Sequence, residues 1–204
     1  MKSIGIVDLN IGNIGSVERM LVSLDYNPIR CRDPDQLIDI AALIIPGVGN
    51  FDAVMTKLRD SQLDAAIKAL VLAEKIPIMG ICIGMHIFCT SSSEGSMAGL
   101  GLVNGHVLPI RQISGQLPSP NMGWRQIEVC GDTDLFEATS EPRFYFVHSY
   151  FVKMSDEAAV IAKTSYGEDF CAGYRVGNIY GLQFHPEKSH RYGLDVFRRF
   201  LSII

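Results

Sequence analysis

No two cysteines stand at C-x-x-C spacing, although the chain holds five: Cys31, Cys82, Cys89, Cys130 and Cys171. That absence excludes zinc ribbons and thioredoxin-type redox motifs, and an odd set of irregularly spaced thiols is not a disulfide framework. Unpaired thiols suit a reducing compartment, so a cytoplasmic location is expected. No stretch approaches the roughly 18 uninterrupted apolar residues of a membrane span, so no membrane association is expected. The opening MKSIGIVDLN carries one lysine and a short apolar run without a cleavage-type continuation, and reads as a first strand rather than a signal peptide. Nor is there a basic stripe. The 18 Lys and Arg are outnumbered by 22 Asp and Glu, leaving a net charge of −4, and the dense pair Arg198-Arg199 falls in a helical pattern. Nucleic acid is not an expected partner. No internal repeat or low-complexity linker divides the 204 residues, which are expected to form one domain, 1–204.

What is present is an ordinary globular composition, 48% hydrophobic and 20% charged. Short apolar runs recur in the first half at Ile4–Leu9, Asn27–Cys31, Ala41–Pro46 and Ile76–Cys82. Such continuous runs suit strands buried on both faces. Between them, Ile14–Leu24 (apolar at Val17, Met20, Leu21 and Leu24), Phe51–Leu58 and Leu63–Ala73 have the period of amphipathic helices. From Val103 to Val152 strand-like pieces dominate. Ala159–Gly167 and Cys171–Glu187 look like hairpin strands, Ser114–Gly123 marks a loop, and Tyr192–Ile204 closes as a helix with Leu194, Phe197, Phe200 and Leu201 on one face. The expected fold is α/β: a mostly parallel central sheet flanked by helices, with additional antiparallel strands in the C-terminal half.

Ligands of parallel sheets bind at the carboxyl ends of strands. Three segments arrive there: Asp8-Leu9-Asn10, Pro46–Asn50 and GICIGMH, Gly80–His86. The last places glycine two residues before and two after Cys82, the logic of a nucleophile elbow with cysteine in place of serine. A helix N-terminus there would favour the thiolate. From the elbow alone, a small buried core residue and a nucleophile are both open readings. A base shifts the balance. In QFHPEKS, His185 and Glu187 stand two apart across Pro186, which in an extended segment puts both on one side. Cys82, His185 and Glu187 thus make a candidate nucleophile, base and orienter. A metal reading of the same H-x-E lacks the partnering C-x-x-C, so no metal is expected. PGVGNF lacks the GxxxxGK[ST] and GxGxxG frames of phosphate cradles, and no cofactor is expected. Gly47 and Gly49 supply a loop whose amides could serve an oxyanion.

PGVGNF, GICIGMH and QFHPEKS, in this order and with 103 residues from Cys82 to His185, resemble the class I glutamine amidotransferases, whose sheet is flavodoxin-like. NMGWRQ (Asn121–Gln126), YFVHSYFV (Tyr145–Val152), DLNIGNIGSV and RDPDQL extend the resemblance to the glutaminase subunits of imidazole glycerol phosphate synthases. The resemblance implies that Cys82 attacks the side-chain amide of L-glutamine to form a γ-glutamyl thioester, with His185 relaying protons and Glu187 orienting it. It implies an oxyanion site at Ile83 and the loop Gly47, Val48 and Gly49, and glutamine contacts at Gly49, His86, His148, Ser149 and Tyr150. Free ammonia is largely protonated at neutral pH, and in this family it passes through a tunnel to a (β/α)8-barrel cyclase subunit in a heterodimer. That partner makes imidazole glycerol phosphate and AICAR from PRFAR in histidine biosynthesis. By resemblance, Asn121, Met122, Gly123, Trp124 and Lys188 lie near the interface; read from composition alone, Trp124 is a core or rim aromatic. Two positions depart from the family. His86 stands where glutamine is usual, introducing a donor that could be pH-sensitive, and Asn121 stands where histidine is common before MGW. A paralogous glutaminase feeding a different synthase, such as a surface-polysaccharide sugar amidotransferase, carries the same motifs and stays open.

Overall fold

A computed structural model describes residues 2–130, 133–137 and 142–204. In chain order the elements are β1 (Ser3–Val7), α1 (Ile14–Ser23), β2 (Asn27–Cys31), β3 (Ala42–Ile45), α2 (Phe51–Asp60) and α3 (Leu63–Ala69). Next come β4 (Ile78–Ile81), α4 (Ile83–Ile87), β5 (Ser91–Ser92), β6 (Gly105–Pro109), β7 (Asn121–Gln126) and β8 (Glu128–Val129). The chain finishes with β9 (Arg143–His148), β10 (Tyr150–Met154), β11 (Val160–Tyr166), β12 (Glu168–Val176), β13 (Ile179–Leu182) and α5 (His190–Leu201).

The main sheet runs β2-β1-β3-β4-β13-β12-β11-β8. Strands β2, β1, β3, β4 and β13 run parallel to one another, whereas the pairs β13-β12, β12-β11 and β11-β8 are antiparallel. This is the expected parallel core with antiparallel strands from the C-terminal half. Smaller sheets, β10-β6-β5 and β7-β9, carry the remaining strands. The continuous apolar runs are explained by burial on both faces. Along β1 and β3, Val7, Leu43 and Ile45 pack with α2, α3 and α4, while Ile4, Ile6, Ala42 and Ile44 pack with α1 and α5. Alternate residues thus enter different cores. Helix α2 begins where Asn50 Oδ1 accepts the Ala53 amide at 3.2 Å, with Asp52 in its first turn and Lys57 and Arg59 in its last.

Three sequence expectations shift by a turn or less. Helix α3 ends at Ala69 and Leu70–Glu74 continues as a π turn, so the run to Ala73 is not one regular helix. The expected Ser114–Gly123 loop stops at Pro120, because Asn121, Met122 and Gly123 already pair with His148, Val147 and Phe146. On α5 the buried residues are Gly193, Val196, Phe197, Phe200 and Leu201; Leu194 lies only half-buried at the edge of that face. Among the described residues, no helix is long and apolar enough to cross a membrane.

Candidate active site

The sheet order brings together what the sequence separates. Strands β4 and β13 are parallel neighbours in the register Ile81 to Leu182, and the Cys82 amide donates to the Leu182 carbonyl at 2.7 Å. The residues that follow each strand, Cys82 and Gln183–Glu187, therefore emerge side by side. β3 lies on the other flank of β4, so the Pro46–Asn50 loop leaves the same edge.

Cys82 has φ 54° and ψ −107°, a left-handed backbone that costs a non-glycine residue about 1–3 kcal/mol and recurs at functional sites. Its flanking glycines are steric necessities. A Cβ on Gly84 would overlap the Ile45 carbonyl of β3, and a Cβ on Gly80 would overlap the Gly84 backbone and lie 2.6 Å from Phe88. The elbow can therefore seat α4 against the sheet only with both glycines. Helix α4 is short, five residues, so the field at Cys82 comes mainly from first-turn amides, Ile83 included, that have no carbonyl four residues back.

His185 is fixed from both ends. Its amide donates to the Tyr145 carbonyl at 2.9 Å, and its carbonyl accepts the Ser189 hydroxyl at 2.6 Å; the same hydroxyl accepts the Tyr145 amide at 3.0 Å. The side chain places Nδ1 2.8 Å from Glu187 Oε1, both groups buried. The expected extended geometry across Pro186 does not occur. Proline opens a 3-10 turn over Pro186–Lys188, and that turn, rather than strand alternation, carries Glu187 back to the imidazole. His185 Nε2 makes no hydrogen bond of ordinary geometry and remains available. Burial pushes the imidazole down, but Cys82 and Glu187 outweigh it and hold His185 up at about 9.

A cleft of about 270 Å³ opens over Cys82, lined by Val48, Gly49, Ile83, His86, Glu94, His148, Ser149 and Tyr150 among others. Gly47 is not on this wall. It faces a second cleft of about 350 Å³ with Gly12, Asn13, His185, Glu187 and Lys188, and Val48 borders both. A Cβ on Gly47 would come within 2.5 Å of Ile83 Cγ2, so glycine lets the loop sit on the elbow.

The histidines of the first cleft are neutral. Burial pushes His148 down to about 3; its Nδ1 lies 2.8 Å from the Tyr150 carbonyl and its Nε2 2.9 Å from Asn121 Nδ2. The carbonyl must accept, so Nδ1 carries the proton and Nε2 accepts from the amide, whose oxygen takes Arg125 Nε at 2.6 Å. With both nitrogens engaged, His148 shapes the Ser149-Tyr150 wall. Burial pushes His86 down to about 4 against its hydrogen bond to Gln183, so the expected pH-sensitive donor stays neutral at physiological pH. His86 Nε2 lies 2.9 Å from Gln183 Oε1, and Gln183 Nε2 donates to Cys82 Sγ at 3.9 Å.

The expected interface residues divide. Met122 and Trp124 are exposed, at 58% and 41%, Lys188 is exposed and Gly123 is half-buried. Trp124 stacks on His190 with ring centroids 5.6 Å apart, a rim aromatic rather than a core one. Asn121 is fully buried between His148 and Arg125, behind exposed Met122, so it contributes to that surface from beneath rather than on it. In strand β7 it points opposite to Met122, inward.

Sequence reasoning missed Glu94, Gln183 and Ser189. Gln183 and Ser189 lie inside the quoted QFHPEKS, and alternation along β13 would have turned Gln183 toward the same side as His185. Glu94 has no local signal; Asp52 accepts the Ser96 and Met97 amides and Glu94 Oε2 accepts the Phe51 amide at 3.1 Å, which holds its carboxylate on the cleft wall. Burial pushes that carboxyl up.

A strained cysteine elbow, a buried His-Glu pair from the adjacent strand and a glycine loop on the other flank meet at one edge of a parallel sheet, the arrangement of a thiol nucleophile with its base. The match to the class-I glutamine amidotransferase model spans residues 6–203, and the chain belongs to that family. Its relatives include the imidazole glycerol phosphate synthase subunit HisH 2 of Methanococcus maripaludis, 38% identical over 98% of both chains. Subunit HisH of Leptospira borgpetersenii is also 38% identical, over 98% of this chain and all of that one. A crystal structure of a glutamine amidotransferase superposes with a TM-score of 0.79 over 98% of this chain and 97% of its own, at 18% identity.

Proposed function

We propose that this chain, with residues 1–204 acting as one domain, is the HisH-like glutaminase subunit of an imidazole glycerol phosphate synthase in the cytoplasm. It hydrolyses L-glutamine to glutamate and ammonia for histidine biosynthesis. The observation that carries the reading is the unengaged Nε2 of a buried, Glu187-held His185 beside a strained Cys82.

In this reading, glutamine lies in the cleft over Cys82 with its α-ammonium toward Glu94, against the Ser149-Tyr150 wall that His148 supports. The Cys82 proton passes to His185 Nε2, and the thiolate adds to the side-chain amide carbon. The amide of Ile83 and the Gly47-Val48-Gly49 loop face the oxyanion, the loop after a peptide rotation that its glycines permit. Collapse breaks the C–N bond while His185 gives its proton to the departing nitrogen, leaving ammonia and the γ-glutamyl thioester. His185 then takes a proton from water, the resulting hydroxide breaks the C–S bond, and glutamate leaves. Glu187 keeps the Nδ1 proton in place and offsets the imidazolium charge throughout. Neither a metal nor a cofactor enters these steps.

Ammonia released at Cys82 has a neighbouring way out past Val48, into the second cleft between Gly12, Asn13, Gly47 and Lys188. Lys188 lines that cleft, and its Nζ lies over the Tyr145 ring against which exposed Trp124 packs; this is the surface proposed to meet a (β/α)8-barrel cyclase. The test is glutamate and ammonia release by the purified chain, alone and with the barrel cyclase supplied with its phosphoribosyl substrate. Stimulated release and ring formation are expected. Stimulation only by a sugar amidotransferase would transfer the chain to the paralogous role.

A further inference from the structure

We propose that Gln183 donates a hydrogen bond to the Cys82 sulfur and that His86 acts as a positioning residue by fixing which end of the Gln183 amide faces it. This rests on the glutaminase reading of Cys82 and goes beyond it, since His86 then acts through Gln183 rather than by gripping glutamine.

A primary amide can be turned either way, with a donor or an acceptor toward the sulfur. An acceptor would oppose the thiolate; a donor would stabilise it. In this site the choice is made by His86. Its Nε2 stands 2.9 Å from Gln183 Oε1, with both side chains buried. We assign His86 the tautomer with the proton on Nε2: that tautomer donates to Gln183 Oε1 and leaves the amide nitrogen to face Cys82 Sγ at 3.9 Å, whereas the Nδ1-protonated tautomer would turn the amide the other way. The neutral state of His86 is compatible with this single tautomer. The backbones that carry the two side chains are fixed: the Gln183 main-chain N–H donates to the Ala172 carbonyl at 2.9 Å, and the His86 main-chain N–H to the Cys82 carbonyl at 3.2 Å. The sulfur is flanked by His185, which takes its proton, by the Val147 carbonyl, which accepts from the thiol at 3.9 Å, and by Gln183, the amide whose N–H remains for the thiolate when it adds to the amide carbon and again when the thioester releases it.

The arrangement also accounts for the residue at position 86. What the site requires there is a side chain that donates to Gln183 Oε1. Histidine does so through Nε2, and glutamine can do so through its amide.

Three variants of the full chain test this: Gln183→Met, which keeps the length but removes the donor, His86→Leu, and His86→Gln, which keeps a donor. Glutamate release gives kcat and KM. Iodoacetamide labelling of Cys82 at pH 7, measured by peptide mass against Cys130 in the same sample, reads the thiolate without glutamine. Gln183→Met is expected to slow both Cys82 labelling and kcat by about tenfold to hundredfold, the worth of one hydrogen bond to a charged group, with KM within about twofold. His86→Leu is expected to show a smaller loss of the same kind and none at all in the Gln183→Met background. His86→Gln restores most of it. Wild-type labelling in Gln183→Met would overturn the proposal, as would a KM rise from His86→Leu that persists in the Gln183→Met background. A wild-type chain that releases no glutamate even with the barrel cyclase and its phosphoribosyl substrate present, yet shows the labelling effect, would sink the glutaminase reading and leave the hydrogen-bond assignment standing.

Discussion

Replacing Glu187 by glutamine keeps the shape of the His185 support and removes its charge. In the native chain the His185 imidazole stands at about 9 against a reference of 6.5, despite burial that favours the neutral ring. That rise corresponds to about 3 kcal/mol in favour of imidazolium and is what remains after the burial cost, so Cys82 and Glu187 together supply at least that much. If the two share it about equally, Glu187→Gln weakens the imidazolium by about 1.5 kcal/mol, or a little more than tenfold in the steps where His185 carries a proton. Glu187 lies outside the cleft over Cys82, so KM for glutamine should stay within about twofold. Its Oε2 has no other hydrogen-bond partner, so no second contact is lost. The assay is steady-state glutamate release, with the His185 titration followed by NMR of labelled histidine. The reasoning predicts a kcat reduced about tenfold to thirtyfold and a His185 midpoint moved about one unit lower. A kcat within twofold of wild type, or a loss confined to KM, would refute it.

Three further outcomes follow from the same geometry. Cys82→Gly should abolish glutamate release yet raise the unfolding free energy by about 1 kcal/mol or more, because glycine accepts φ 54° without the cost cysteine carries; urea denaturation reads it. Gly84→Ala should lower Tm markedly and reduce activity, since the new Cβ overlaps the Ile45 carbonyl and lifts α4 from β3. Stability should peak near pH 6.5. Below it the unfolded chain gains protons that folded His86 and His148, held at about 4 and 3, do not take up; above it the protons that favour folded His185 are lost up to about 9. Thermal melts from pH 5 to 9 check this, and a monotonic trend across that window would contradict it.

The parallel core was legible because its strands are buried on both faces, which writes continuous apolar runs into Ile4–Leu9, Ala41–Pro46 and Ile76–Cys82. The elbow was legible because Gly80 and Gly84 are required by backbone contacts that no side chain could replace. Pairing of Cys82 with His185 is a property of sheet order, β4 beside β13, which periodicity cannot encode; the chemistry of the elbow and of the His-Pro-Glu turn suggested it, and the family motifs strengthened it. Within the site, what stayed hidden depended on hydrogen-bond direction and inward or outward facing. Asn121 and Met122 are adjacent letters, yet one is buried between His148 and Arg125 and the other is exposed, because strand β7 alternates its faces. His86 read as a departure at a glutamine contact; it lines the cleft, and what the sequence could not show is that its Nε2 meets Gln183 Oε1. Glu94 reaches the cleft through a loop tied down by Asp52 and the Phe51 amide, interactions spanning more than forty residues of chain that leave no local pattern.

The central claim is that Cys82 carries the γ-glutamyl group during glutamine hydrolysis. Acid-quenching the chain during turnover of radiolabelled L-glutamine, followed by peptide mapping, addresses it directly. The account predicts label bound through an alkali-labile thioester to the peptide containing Cys82, with glutamate and ammonia released in equal amounts. Glutamine turnover with no label on that peptide, or undiminished turnover in Cys82→Ala, would contradict it.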